Sequence, residues 1–372
     1  MSQYGVACCD SFDSISSLTD GACSGLKRII DSSAWISMIL NRLRWEIGYR
    51  ASTIRRMLKR IPERFAYARF VRRNMQGSSR FFLWKLGFKS PFTAVIRGKK
   101  VEVRDERDRI ELSSYLHDVF LHSRFRMGEE YGLAYAEFEF MKKQLRFYFR
   151  KELTQDAIEV LEWYFLGGQY EKLKAKDRDV LDIGANIGDT AIYFALRGAK
   201  RVVSLEVFPV TFEIAKLNIQ KNGFAEIISL LNEGAGASGS LNLDRSLLAS
   251  RSSEAHESGG DISVRINSLS EIVARFGLQD AVLKINCEGC EYDLFSGASG
   301  EVLRHFSQIM LEYHYHGAGS ISKILKQAGF SVKIFDREYF YNRDFAEPRC
   351  ESGFIFATRQ RTSSIELSRG VG

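Results

Sequence analysis

Residues 180–191, V-L-D-I-G-A-N-I-G-D-T-A, constrain the fold of this chain more than any other stretch. An apolar run of strand length ends at Gly184, passes through a second glycine, Gly188, and enters helix-forming residues. A strand buried on both faces, then a glycine turn, then a helix is the opening unit of a parallel α/β sheet. Glycine at these places lets the backbone turn tightly and approach a ligand where a Cβ would collide. The G-x-x-x-G spacing differs from the G-x-G-x-x-G of nicotinamide-dinucleotide sites, and no Lys-Ser/Thr follows as in a P-loop.

The pattern continues with the same alternation. Residues 201–206, 226–231, 281–285 and 307–312 read as short buried strands, and 190–197, 210–222 and 320–329 as helices, with Gly223 placed to end the second. Two last strands, 330–335 and 353–358, flank a polar loop. Alternating β and α with short connections predicts an α/β, Rossmann-like domain over 174–360: a seven-stranded, mostly parallel sheet with helices on both faces. Ahead of it, residues 1–25 read as a flexible tail and 26–110 as a basic helical region carrying a β-hairpin with Gly98 in its turn. Residues 111–173 read as a helical connector or cap, including helices over 134–151 and 153–165. Residues 361–372 form a second tail.

Charge divides unevenly along the 372 residues, whose net charge is +7. Residues 26–100 hold 19 Lys and Arg against three acids, and the rest of the chain is acidic on balance. The basic block carries aromatics, among them Trp35, Trp45, Tyr49 and Phe81, so three readings stay open: a solvated cap over the domain, a peripheral membrane contact through basic amphipathic helices, or a nucleic-acid element. A 45% hydrophobic composition excludes a wholly disordered chain. No apolar run reaches the ~18–20 residues of a transmembrane segment. The first 25 residues have neither the basic start nor the apolar core of a signal peptide. The expected compartment is therefore the cytoplasm, and six cysteines suit a reduced compartment better than a disulfide framework.

Ligands of open α/β sheets bind beyond the C-terminal ends of the strands, so acids there are the first candidates. Asp182 can fix the glycine loop or accept from a ligand amine. Glu206 ends the second strand 18 residues after Gly188, where such folds place an acid on ribose hydroxyls. Glu233, after the third strand, is placed for an adenine edge. At the far edge stand Asn286, Glu288 and Glu291, then Glu312, His314 and His316. Glu291 sits where it would cap the following helix. Asn286, Glu288, Glu312 and His314 are types that hold a divalent cation. A lone strand histidine is more often a structural hydrogen-bonder, however, and no metal is expected. Cys287-Glu-Gly-Cys290 has no second pair with which to make a zinc site, and reads as small residues packing under the loop.

Three motifs in order, V-L-D-I-G-A-N-I-G-D-T-A, S-L-E-V-F-P and A-V-L-K-I-N-C-E-G-C-E-Y, resemble the FkbM family of class I methyltransferases over about half the chain. The resemblance implies S-adenosyl-L-methionine as cofactor and O-methylation of a sugar, glycolipid or other small hydroxylated metabolite. It implies cofactor contacts from Asp182, Gly184, Asn186, Gly188, Glu206, Glu233 and Asn286. Val207 and Asn286 depart from the family's Pro and Asp. Asn hydrogen-bonds but cannot serve as a carboxylate base, which leaves Glu288 as first choice for polarising an acceptor hydroxyl, with His314 and Glu312 beside it. The rival readings are an RNA methyltransferase recruited by the basic block, and a non-catalytic domain that binds the cofactor or a partner protein.

Overall fold

The computed structural model describes residues 61–96, 98–243, 260–341 and 349–359. The expected tails at 1–25 and 361–372, and the helices expected over 26–60, lie outside these residues.

The described chain opens with α1 (Ile61–Asn74), β1 (Met75–Gln76), α2 (Ser78–Lys85), β2 (Phe92–Ile96), β3 (Lys99–Val103) and α3 (Glu106–His122). β2 and β3 pair antiparallel from Ile96–Lys99 outward, with Gly98 at φ 80° in the turn, as the sequence predicts. β1 adds to the other side of β2. Val71, Phe81, Trp84, Ala94, Val103 and Leu116 give this region a small core of its own.

The expected helix over 134–151 is not formed. β4 (Arg126–Glu130), β5 (Leu133–Phe140) and β6 (Lys143–Phe149) make an antiparallel meander instead. Ala134, Ala136 and Phe138 are buried while Leu133, Tyr135 and Glu137 are half-buried, a period of two and not 3.6. Both turns are two-residue turns with left-handed central residues, Tyr131-Gly132 and Met141-Lys142 (φ 50° and 64°). The second has no Asn or Gly to mark it, so the hairpin left no trace among the local turn signals. The expected helix over 153–165 is present as α4 (Thr154–Leu161), running on into a π-helical turn, Glu162–Leu166.

The main sheet contains β7 (Asp179–Ile183), β8 (Arg201–Leu205), β9 (Ile228–Leu231), β13 (Ala281–Ile285), β14 (Phe306–Tyr313), β15 (Phe330–Tyr341) and β16 (Arg349–Arg359). Its order is β15-β16-β14-β13-β7-β8-β9, and only β16 runs against the rest. This is the Rossmann-like, mostly parallel seven-stranded sheet expected from the sequence. The helices between its strands include α5 (Asp189–Leu196), α6 (Pro209–Lys221), α7 (Leu269–Phe276), α8 (Cys290–Ser296), α9 (Gly300–Leu303) and α10 (Gly319–Gln327). A side sheet, β10 (Gly234–Ala235), β11 (Gly239–Leu243) and β12 (Ile262–Asn267), grows from the end of β9.

Side chains alternate across the main sheet. Leu181, Ile183, Leu205, Leu283 and Ile285 pack on one face, and Val180, Val202, Val282 and Met310 on the other. The second face is covered by α5, the π turn and the meander. Strand β6 reaches the domain through two asparagines, Asn218 within α6 and Asn222 just past its end. Asn218 both donates to the Tyr148 carbonyl (3.0 Å) and accepts from the Tyr148 N–H (2.6 Å), and Asn222 does the same with Arg146. Asn218 also donates to the Ile187 carbonyl (2.8 Å), so one buried amide ties the meander to the glycine loop.

Candidate active site

Strand order reverses at β7, which lies between β8 and β13. The loops leaving β7 and β13 therefore diverge, and a cavity of about 980 Å³ opens between them. Its wall includes Gly184, Asn186, Glu206 and Glu233 on one side and Asn286, Glu288, Glu312 and Tyr315 on the other, with Tyr164 and Trp163 of the π turn above.

The glycine loop is fixed from below. Asp182, Ser204 and Lys284 stand in register on neighbouring strands and point to the same face. Asp182 is fully buried. It accepts from Thr190 Oγ1 (2.8 Å) and Ser204 Oγ (3.3 Å), and lies 2.9 Å from Lys284 Nζ. The lysine donates to the Gly184 carbonyl (2.7 Å). Asp182 thus fixes the loop, one of the two roles expected of it, and does not itself line the cavity. Gly184 (φ 78°) is required for a reason the sequence did not reveal: a Cβ there would sit 1.8 Å from the Asn286 carbonyl oxygen, on the chain itself and not on a ligand. Gly188 (φ 82°) precedes α5 with the backbone of Ala215 against it.

Glu206 is buried at the end of β8. It accepts from the N–H of Asn186 (2.8 Å) and of Phe208 (3.0 Å). Burial pushes its carboxyl up to about 7. Asn186 takes a left-handed φ of 48°, and its amide donates to Asp189 (3.1 Å). Asp189 lines the cavity and was not singled out in the sequence, although an acid directly after Gly188, in the first turn of a helix, was the available signal. Burial lifts it to about 7 against the pull of Lys284. Glu233 holds Arg275 through both oxygens (2.9 and 2.8 Å) and accepts from Asn267 (2.8 Å). Its carboxylate is thereby paired within the protein, although the residue still lines the cavity.

The β13–β14 edge is built from side-chain pairs. Asn286 donates to Glu312 (2.9 Å) and to the Tyr164 hydroxyl (3.4 Å), while its buried Oδ1 has no partner among the described residues. Burial raises Glu312 to about 7, only partly offset by His314 and reinforced by Glu288. His314 does not line the cavity. Its Nδ1 lies 3.0 Å from Glu291 and its Nε2 3.5 Å from Glu288. Burial lowers its pKa, but the Glu291 hydrogen bond and the Glu288 and Glu312 charges outweigh that, to a net value of about 9. The ring is thus held between two carboxylates, outside the cavity wall. Glu291, fully buried, accepts from the N–H of Gly289 (2.9 Å) and of His314 (2.8 Å), the capping role expected of it. Cys287 and Cys290 are joined by a disulfide, not two separate small packing residues. The turn into α8 brings their Cα atoms to 5.6 Å, inside the span a bridge needs. No group of three or more His, Cys, Asp or Glu among the described residues has the arrangement of a metal centre.

The family description of the methyltransferase FkbM domain matches residues 182–332, the stretch that carries both loops of this cavity. These residues are an FkbM methyltransferase domain. The chain is also 31% identical over 119 residues to the ribosomal protein L11 methyltransferase of Anoxybacillus flavithermus, covering 32% of each chain. It is 29% identical over 103 residues to protein arginine N-methyltransferase 1 of Saccharomyces cerevisiae, covering 28% of this chain and 29% of that one. The match thus spans about a third of the length of each of these relatives. Among solved structures, M. capricolum TrmK in complex with S-adenosylhomocysteine is similar over 52% of this chain and 67% of its own, at 13% identity and a TM-score of 0.32. No helix among the described residues is long and apolar enough to cross a membrane.

Proposed function

We propose that this chain transfers a methyl group from S-adenosylmethionine to a hydroxyl of a small acceptor such as a sugar or the head of a glycolipid. The observation that carries the reading is the set of carboxyls in one cavity wall, Asp189, Glu206 and Glu312, each lifted by burial to about 7. Carboxyls raised in this way are short of positive charge, and a cationic ligand supplies it. The sulfonium of the cofactor provides an activated methyl and just such a charge. Glu206 is placed to take ribose hydroxyls with the lone pairs left free by Asn186 and Phe208. Gly184 and Gly188 give the loop its shape, and Asp182 with Lys284 holds it there.

Glu312 is the base of this proposal. A carboxyl poised near 7 accepts a proton far better than an exposed one at the operating pH. Asn286 orients it through the amide N–H, which leaves the other Glu312 oxygen to take the proton of the reacting hydroxyl and Asn286 Oδ1 to accept from a neighbouring hydroxyl of the acceptor. An aspartate at 286 would place a second carboxylate 2.9 Å from Glu312. The asparagine instead gives that position a donor, so the departure from the family pattern is compatible with catalysis. Glu288, 3.5 Å from a protonated His314, is neutralised on that side and borders the acceptor. The wall holds seven acids against one arginine, Arg150, which disfavours phosphate-rich acceptors such as RNA.

The test is calorimetric titration with S-adenosylhomocysteine, wild type beside Glu206→Gln, followed by transfer from labelled donor to hydroxylated acceptors. Micromolar binding that weakens in the variant supports the reading. No binding by the wild type overturns it.

A further inference from the structure

We propose that Cys287 and Cys290 are a thiol–disulfide exchange site in the cavity wall, and that its redox state is coupled to cofactor occupancy. The first half of this inference stands alone, and the coupling rests on the methyl-transfer reading. Both cysteines line the cavity and are half-buried, so a small reductant in the cavity reaches them. Cys350, by contrast, is buried at 2% exposure.

The bridge closes a ring around two residues in unusual backbone conformations, Glu288 at φ 54° and Gly289 at φ 120°. A left-handed conformation is unfavourable for a non-glycine residue such as Glu288. The turn is anchored at both ends: the Asn286 N–H donates to the Ile183 carbonyl (3.0 Å), and Glu291 accepts from Gly289 while holding His314. Between these anchors the bridge is the covalent restraint that keeps Glu288 turned toward the cavity and His314. Opening it separates the two sulfurs to van der Waals distance and lets Glu288 relax. The same turn packs against the cofactor loop, since the Asn286 carbonyl abuts Gly184. A change at 287–290 therefore reaches the cofactor loop through direct contact.

The chemistry balances with a dithiol reductant. One of its thiolates attacks a bridge sulfur, and the S–S bond breaks to a mixed disulfide and a cysteine thiolate. The second thiol then displaces the protein sulfur. Two electrons and two protons pass to the protein, which ends with Cys287 and Cys290 as thiols, while the reductant ends as a cyclic disulfide. Oxidised dithiol reverses the step.

The experiment equilibrates the full-length protein in buffers of fixed reduced-to-oxidised dithiothreitol ratio, alkylates it with iodoacetamide, and weighs the peptide holding residues 287–290. The expected result is a single two-electron transition of that peptide. Saturating S-adenosylhomocysteine moves its midpoint about fivefold toward reducing ratios. By reciprocity, fully reduced protein binds S-adenosylhomocysteine about fivefold more weakly in calorimetry. The Cys287→Ser/Cys290→Ser double variant binds with one affinity in both buffers. Full alkylation without reductant overturns the exchange site. A midpoint unmoved by a ligand that does bind overturns the coupling. Failure of both redox forms to bind S-adenosylhomocysteine overturns the methyl-transfer reading, and with it the coupling, while the peptide transition still decides the exchange site.

Discussion

At the β7–β8 edge of the cavity the groups facing a ligand are held by backbone geometry, whereas at the β13–β14 edge they are held by pairing among ionisable side chains. The first edge rests on two glycines with positive φ, on backbone N–H groups that tether Glu206, and on the buried Asp182–Lys284 pair beneath. The second consists of Asn286–Glu312 and of Glu288–His314–Glu291. A backbone-held wall keeps its shape over a wide pH range. On the second edge Glu312, lifted by burial to about 7, changes charge near neutrality, as a proton-transfer group must. The difference separates binding from catalysis, and substitutions on the two edges should fail in different ways.

The largest effect is expected at Glu312. Glu312→Gln keeps an acceptor for the Asn286 amide but cannot take a proton, so methyl transfer should fall by about 10²–10⁴-fold. S-adenosylhomocysteine affinity should stay within twofold by calorimetry, on the order of a few tenths of a kcal/mol. In the wild type the rate should rise with pH through about 7, where Glu312 loses its proton. That rise should be absent from the variant. A rate profile that keeps it assigns the base elsewhere, with Glu288 next in line.

On the other edge the expected failure is of stability. Lys284→Met removes one partner of a pair whose side chains are 1% and 0% exposed. Leaving Asp182 buried and unpaired should cost about 3–5 kcal/mol in chemical denaturation. Adding Asp182→Asn should restore a large part of that. If the double variant is no better than the single one, the pair is not what carries the loop.

Glu206 tests where the two edges meet in one property, because it is held by backbone yet titrates. Glu206→Gln should weaken S-adenosylhomocysteine by about 1.5–3 kcal/mol, the worth of hydrogen bonds to a charged group. Its stability signature has a definite sign. The folded carboxyl titrates near 7 and the unfolded one near 4.3, so across that window the folded state holds a proton that the unfolded chain has released. Wild-type stability therefore falls as pH rises from about 4.3 to 7 through this group. Relative to wild type, Glu206→Gln should gain in Tm at pH 8 and show no gain at pH 4.5. His314 runs the same way over a higher window: its stabilising charge is intact below about 6.5 and is lost as pH rises through about 9.

What could be read from the sequence follows the same division. The α/β order, the glycine turn and Glu206 were legible because a parallel sheet imposes short apolar runs, and the turn between strand and helix demands glycine. For Asp182 two roles stayed open, fixing the loop or meeting a ligand, since a sequence does not show that Ser204 and Lys284 lie in register with it. The pairing of Cys287 with Cys290 and the charged state of His314 depend on a loop closing on itself, and no spacing rule reports that. Tyr164 and Asn218 were invisible for the same reason: each acts across 70 or more residues of chain. The meander was misread because its apolar residues are dense enough to satisfy either period, and Met141-Lys142 carries no turn residue.

That last misreading yields the smallest prediction, and it concerns a region remote from both edges. Met141 and Lys142 both sit at positive φ in a two-residue hairpin turn, a geometry that asparagine and glycine adopt at little cost. Replacing the pair with Asn-Gly should stabilise the protein by about 1 kcal/mol, part of the penalty that two left-handed non-glycine residues carry. S-adenosylhomocysteine affinity should not move, because Met141 is exposed and lies at the tip of a hairpin whose links to the glycine loop run through Asn218 and the shared apolar core. A stability gain without a binding change would show that the meander is a support whose local geometry is independent of the site. A change in binding of the same size as the gain would mean instead that turn and loop move together, and the Asn218 contact at Ile187 would be the place to look for the connection.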